Sequence, residues 1–470
     1  MLFNSFEFIF VFLPLVLVLY FNIKSHRGKL YLLLISSYIF YGYWNYKFIG
    51  LILLTTIIDF NIGLALSRFD NPLTRKRLMQ LSIVTNLTIL GFFKYFNFFV
   101  DSFYEVTSLL GSTSSREFFL EIVLPVGISF YTFQSMSYII DVYYKKTEPH
   151  RDFVSYATYI ALFPPLIAGP IIRHNNLVHQ LEDPTRGKFN WNNFAQGIHL
   201  FVIGLSKKII FADRIGMAID PALLNMSNLS TPEAWLCALG YTAQLYFDFS
   251  GYSDMAIGLG KMMNFDFPQN FNSPYKSKSI TEFWQRWHIS LSSWLKDYLY
   301  IPLGGNKLSP AKTYRNLMLT MILGGLWHGA SWVYVIWGTY HGVILAIERF
   351  FKNRNIKIIP QKFLLPWTFL LAMIGWVFFR SPNMTFAMEW IDKMFLPNYD
   401  WSFYNFSAKV RDRFAAVLVI GYCIIFYCKN TFELDYKRAL KPRLAIVMAL
   451  LFIIGILYFS KDSPFLYFQF

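Results

Sequence analysis

The feature that most constrains this chain is a series of apolar runs, each about as long as a bilayer requires, set between short basic loops. A hydrocarbon core of roughly 30 Å is crossed by about 20 apolar residues in helical form. Six such runs come early, at Glu7–Ile23, Leu30–Tyr46, Phe48–Leu66, Leu78–Phe99, Phe119–Tyr143 and Phe153–Ile172. Three more follow near the end, at Phe363–Phe379, Phe414–Tyr427 and Leu444–Phe459. Of 470 residues, 55% are hydrophobic and 15% charged, where soluble domains carry roughly 25% charge. One water-soluble core cannot hide that much apolar surface. The expected fold is therefore all-α and polytopic, an integral membrane protein with roughly ten to twelve crossings plus re-entrant or interfacial helices. Disorder, coiled coil and a disulfide scaffold are excluded on the same grounds.

The charge pattern orients the spans. Lys24–Lys29, Arg68–Arg77 and Lys145–Arg151 together hold ten Lys and Arg, whereas the alternating loops Tyr41–Phe48 and Val100–Phe118 hold only Lys47 and Arg116. The basic loops belong in the cytoplasm, which puts the N-terminus outside a cell membrane crossed many times. Lys429–Arg443, with five Lys and Arg, is read as cytoplasmic too, leaving the C-terminus outside. The net charge of +15 is thus a membrane-orienting feature, and no nucleic-acid partner is expected. The first apolar run has no basic lead and no small-residue cleavage site, so it reads as a retained span. Cys237, Cys423 and Cys428 lie in apolar stretches without metal spacing and read as packed thiols.

The middle of the chain is less regular. Pro164, Pro165 and Pro170 interrupt one apolar run, and Lys207 and Lys208 another. Lys276–Gly305 is too polar to face lipid and too aromatic for water, as expected of a re-entrant or interfacial element. Leu317–Phe351 is 35 residues, about 52 Å as helix and too long for one crossing. Gly324, Gly325 and Gly329 offer break points there. No repeat or soluble domain separates from the rest, so residues 1–470 read as one membrane-embedded domain, with a motif-bearing core over about 120–345 and C-terminal helices over about 360–470.

Polar side chains at membrane depth are costly, and each is a functional hypothesis. Three clusters stand out: Asp248 to Asp254; Phe283 to Tyr298, containing His288; and Gly324 to Trp332, containing His328, followed by Trp337 to Gly342. His328 lies between Trp327 and Gly329 with no nearby charge in sequence. An imidazole taken out of water is held neutral and accepts a proton, the state that general-base work on a hydroxyl requires. The bland alternative is a structural histidine bonded to a backbone carbonyl. His288 follows Arg286 and precedes Ser290, Ser292 and Ser293, placing it to orient His328, bind an acyl group or cap a helix. His341 comes 13 residues after His328, about 220° around one continuous helix. It then faces away and reads as structural, unless the helix breaks. Asp248 and Asp254 read as ties between helices, through an Arg or Tyr, more than as an ion path. Neither HExxH nor GxSxG occurs, so no metal site and no nucleophilic serine is expected.

These stretches resemble the membrane-bound O-acyltransferase family, most of all its bacterial alginate O-acetylase branch. The resemblance rests on the opening Met1-Leu-Phe-Asn-Ser-Phe-Glu-Phe-Ile-Phe, on Leu124 to Gln134, on Ile167 to Arg173, on Phe247 to Asp254 and on Asn270 to Tyr275. Trp284-Gln-Arg-Trp-His-Ile-Ser-Leu-Ser292 and Gly325-Leu-Trp-His-Gly-Ala-Ser-Trp332 carry most of its weight. It implies an acyltransferase with His328 at the family's catalytic position and His288 at the second, in a ring of helices around a central funnel. It also implies acetyl-CoA as a cytoplasmic donor with no tightly bound cofactor. The acceptor would be an exported polysaccharide, reached with a periplasmic or extracellular acetyltransferase partner. Trp284, Arg286, Trp287, Ser292, Asp297, Tyr298, Trp327 and Asp248 are then the candidate substrate contacts. Three other readings stand beside this one: D-alanyl or other acyl transfer from a carrier protein, a polysaccharide or acyl transporter, and a structural subunit of an export complex.

Overall fold

The computed structural model describes residues 1–109, 122–406, 408–434, 441–459 and 465–466, all helix and connecting segment with no strand among them. Arg116, the Phe119 start of the fifth expected span, and Lys437 and Arg438 of the C-terminal basic loop lie outside the described residues. Four helical stretches among the described residues are long and apolar enough to cross a bilayer: His26–Arg68, Pro72–Ser108, Trp191–Leu224 and Gln361–Arg380. The protein is a multi-pass membrane protein. Its contacts divide into two compact units, one mainly residues 6–190 with 263–267, the other mainly residues 191–262 with 268–470.

In the first unit a π-helical turn, Glu7–Phe12, leads into α1 (Leu13–Asn22). Then come α2 (His26–Asn45), α3 (Ile49–Arg68), α4 (Pro72–Leu109), α5 (Ile128–Tyr143), α6 (Phe153–Ala161), α7 (Phe163–Leu166) and α8 (His174–Glu182). Two buried or half-buried charged groups are paired across these helices. The buried Asp59 of α3 accepts from Ser82 Oγ at 2.6 Å and Asn86 Nδ2 at 2.9 Å, which ties it to α4. The Arg75 guanidinium donates to carbonyls of Leu66, Val142 and Tyr143, the exposed ends of α3 and α5.

Two boundaries differ from the sequence pattern or refine it. The expected loop from Val100 continues as helix to Leu109, because no glycine or proline stops it. Thr107 and Ser108 also turn their hydroxyls back onto the carbonyls of Phe103 and Glu105. The Phe153–Ile172 run breaks at Leu162, ahead of Pro164 and Pro165. The Phe163 N–H that the break frees donates to Ser37 Oγ at 3.0 Å, as a backbone group away from water requires.

The second unit holds α9 (Trp191–Ser206), a π-helical segment Lys207–Ala212, α10 (Asp213–Leu224) and α11 (Thr231–Met262). Two short helices follow, α12 (Ile280–Arg286) and α13 (Ile289–Leu295), with a π-helical turn Lys296–Tyr300. Then come α14 (Pro310–His328), α15 (Trp332–Asn353), α16 (Leu364–Arg380), α17 (Met384–Phe395), α18 (Ala408–Tyr427) and α19 (Pro442–Leu457). Helix α11 is buried along almost its whole length, which explains why its sequence shows no apolar stripe. It packs on α9 through facing glycines: a Cβ on Gly251 would meet Gly204 O at 2.7 Å, and one on Gly258 would meet Gly197 O at the same distance.

Asp248 and Asp254 of α11 are tied to lysines, where the sequence pointed to an Arg or Tyr. Lys208 Nζ lies 2.8 Å from both Asp248 and Asp213, and Lys207 Nζ lies 2.6 Å from Asp254. The two residues that interrupt the apolar run therefore sit in the π-helical segment and hold α11. Asp248 also accepts from the Leu466 N–H at 3.0 Å, and Asp254 from Thr431 Oγ1 at 2.8 Å.

Candidate active site

Helices α14 and α15 form a hairpin whose backbones touch. A Cβ on Gly325 would lie 2.2 Å from Tyr334 O, and one on Gly338 would lie 2.3 Å from Met321 O. The long apolar run thus does break, between His328 at the end of α14 and the Ser331 cap of α15. Gly329 is needed at that break, since a Cβ there would lie 2.1 Å from the Tyr334 ring. His328 is left at the tip of α14, buried, with Trp327 at 5.1 Å, Trp337 at 5.1 Å and Phe379 at 5.2 Å between ring centroids.

His288 reaches the same place from a different element. It sits at the joint of α12 and α13 with φ +43°, in the left-handed region. A non-glycine residue is held there at a cost of about 1–3 kcal/mol, so its neighbours must fix it. The segment from Asn270 to Asn272 does so. Asn270 O accepts from the Ile289 N–H at 2.9 Å, and its Oδ1 accepts from Ser290 N at 3.1 Å and Ser290 Oγ at 2.9 Å. Asn272 N donates to Arg286 O at 2.9 Å. On the far side, Glu348 of α15 accepts from Ile280 N at 2.6 Å and Thr281 N at 3.0 Å, placing a negative charge at the start of α12. The fully buried His288 ring then stands 6.1 Å from that of His328, with Phe249 at 4.8 Å and Trp327 at 5.8 Å.

The structure brings some of the expected substrate contacts to this pair and sends others elsewhere. Trp327 touches both histidines. Trp284 touches Trp337 at 5.6 Å and so lines the same box. Trp287 stacks on Phe283 at 5.7 Å and packs on Trp376 at 4.7 Å, forming the wall behind His288. Arg286 pairs with Glu282 at 2.9 Å, and Ser292 Oγ donates to Trp287 O at 3.2 Å, so both support the joint. Asp297 and Tyr298 lie in the half-buried π-helical turn, Tyr298 against Trp294 at 5.2 Å. Asp248 serves the lysine network of α11.

Sequence reasoning gave no role to Asn270, Phe249 or Phe379, each of which positions or walls a histidine. For Asn270 a signal existed, since it opens one of the motifs behind the family resemblance. His341 is the larger change. With the helix broken at Gly329, the premise that placed it away from the site no longer holds. Its ring lies 5.0 Å from Trp337 and 5.2 Å from Trp284. Among the described residues, no group of three or more His, Cys, Asp or Glu is placed to hold a metal.

The arrangement is two imidazoles facing one another within aromatic walls. Their ring centroids are 6.1 Å apart, so the two rings are neighbours at one site. Comparison with known proteins places this pair within a family. The family model for membrane-bound O-acyltransferases matches residues 148–387, which include both histidines. A probable alginate O-acetylase of Azotobacter vinelandii is 43% identical over the full length of both chains. A protein of the same description from Pseudomonas aeruginosa is 49% identical, covering 84% of this chain and 75% of its own. The peptidoglycan O-acetyltransferase of Helicobacter pylori is 35% identical, over 100% of this chain and 98% of its own. The chain belongs to the membrane-bound O-acyltransferase family, in its alginate O-acetylase-like branch, and is an acyltransferase.

Proposed function

We propose that this protein moves an acetyl group from cytoplasmic acetyl-CoA towards a hydroxyl of an exported polysaccharide, alginate or a related cell-surface polymer, with His328 as the base. The observation that carries the reading is the buried His288–His328 pair inside a family of acyltransferases. The acceptor oxygen attacks the thioester carbonyl carbon and His328 takes its proton as the new C–O bond forms. When the tetrahedral intermediate collapses, the C–S bond breaks. The departing thiolate takes the proton back from His328 and leaves as the thiol. His288 faces the same group and orients or bonds it. An acyl-histidine formed in passing fits the same geometry. The aromatic walls exclude water, which would otherwise hydrolyse the thioester.

The reading places the chain in the cytoplasmic membrane with its N-terminus outside and ten to twelve crossings around a funnel. Donor and acceptor then approach the histidines from opposite faces, and a periplasmic or extracellular partner completes the transfer. The relatives' names support acetyl as the group and leave alginate and peptidoglycan both in view as acceptor classes.

The test is turnover in proteoliposomes with radiolabelled acetyl-CoA, for wild type, His328→Ala and His288→Ala, with alginate and peptidoglycan fragments offered separately. His328→Ala is expected to lose about 10²–10⁴-fold in turnover with an unchanged melt, and His288→Ala to lose less. Normal turnover in His328→Ala sinks the mechanism. Label that stays on the wild-type protein identifies the acyl-enzyme variant of it.

A further inference from the structure

Beside the two histidines stand four buried ring nitrogens with no hydrogen-bond partner among the described residues: Nε1 of Trp284, Nε1 of Trp337, and Nδ1 and Nε2 of His341. Their rings are in mutual contact, and Trp337 touches the base. Trp337 lies 5.1 Å from His328, His341 lies 5.0 Å from Trp337, and Trp284 lies 5.2 Å from His341 and 5.6 Å from Trp337. His341 and Trp337 are essentially inaccessible, at 0% and 1% exposure. One edge of His341 is closed by α16, where a Cβ on Gly375 would lie 2.8 Å from Nε2.

A buried N–H without an acceptor pays the desolvation penalty with nothing gained. Three other indoles of this unit are matched. Trp376 Nε1 donates to Tyr275 Oη at 3.0 Å, Trp390 Nε1 to Ala234 O at 3.1 Å and Trp235 Nε1 to Met394 O at 2.6 Å. The two indoles next to His328 are the contrast. An indole nitrogen only donates, so whatever it serves is an acceptor. The rings carry no fixed positive charge, which suits a neutral carbonyl and not a phosphate.

We propose that Trp284, Trp337 and His341 form the donor half of the site and hold the carbonyl oxygen of the acyl group while His328 takes the acceptor's proton. This rests on the acyl-transfer reading above. As the hydroxyl attacks, the π electrons of the C=O bond move onto that oxygen, and N–H donors already in place stabilise it without reorganisation. Collapse returns the electrons to the carbonyl and expels the thiolate.

Trp284→Phe, Trp337→Phe and the double variant test this, since each keeps a ring and removes only the indole N–H side. The donor role predicts a fall in kcat of about 10²-fold for an N–H that bonds the oxyanion, with KM little changed and only the loss of melting temperature that a smaller buried ring brings. A second readout needs no turnover: the infrared band of a methyl-ketone analogue of acetyl-CoA carrying ¹³C at the carbonyl. It is expected to move to lower frequency on binding wild type and to return towards its value in water in the Phe variants and His341→Phe. Full kcat in the double variant overturns the proposal, as does an unshifted band in wild type. Should wild type fail to consume acetyl-CoA yet shift the ketone band, acetyl-CoA as the acyl donor fails and the carbonyl site stands.

Discussion

Two polar clusters of the second unit, the carboxylates of α11 and the rings around α15, both hold buried polar atoms and differ in whether those atoms are met. Around α11, Asp248, Asp254 and Glu233 have oxygens bonded by Lys208 and Leu466 N, by Lys207 and Thr431, and by Ser230 and Asn405. Around α15, the nitrogens of Trp284, Trp337 and His341 have no protein acceptor among the described residues. Both clusters lie where polar atoms are expensive, so depth alone does not mark chemistry. What separates them is whether the cost is met within the protein. A satisfied cluster fixes helices against one another. One left open is completed by something that binds.

The contrast breaks most visibly at Asp254. Asp254→Ala leaves Lys207 buried with Thr431 and the Tyr246 ring beside it but no counter-charge from Asp254, and the loss of stability is expected to be about 3–5 kcal/mol. Replacing the pair, Lys207→Met with Asp254→Leu, should recover most of that, because the lost charge then leaves no partner behind. Chemical or thermal melts of both variants decide it. A single variant as stable as wild type would remove the structural reading of this cluster.

Next in size is Gly329→Ala. Its new methyl has to displace the Tyr334 ring, and His328 is the adjacent residue. A displacement of about 1 Å is expected to lower turnover by up to 10²-fold, with a smaller effect on the melt. Unchanged kcat would mean that the hairpin tip does not set the position of the base. The smallest stability effect belongs to His288→Asn. Asparagine enters left-handed backbone readily, so the variant should melt within about 1 kcal/mol of wild type while turnover falls. A loss of several kcal/mol would instead make the imidazole a packing element.

Much of this was legible in the chain. Apolar runs gave the membrane fold, because the length and composition of a span are local properties. The break after His328 was visible as a run too long for one crossing with glycines in it. Position across elements was not legible. His341 was judged on one helix continuous from His328, so the 220° rotation does not apply to a hairpin that breaks between them. The lysine partners of Asp248 and Asp254 lie 40 and 47 residues away in sequence, and a π-helical segment brings them in. Asn270 acts through backbone bonds to the His288 joint, and no periodicity records such a contact.

The hairpin that carries His328 is joined at Gly325 and Gly338 by backbone against backbone. At such a contact no side chain can be trimmed, lengthened or rotated to move the base. The opposite wall is different: α12, α13 and the π-helical turn are short pieces joined by bends, carrying half-buried side chains such as Asp297 and Tyr298. Adaptation to a new acceptor is therefore one-sided. It has room to work on the wall that carries His288, while the frame that holds His328 is inherited unchanged.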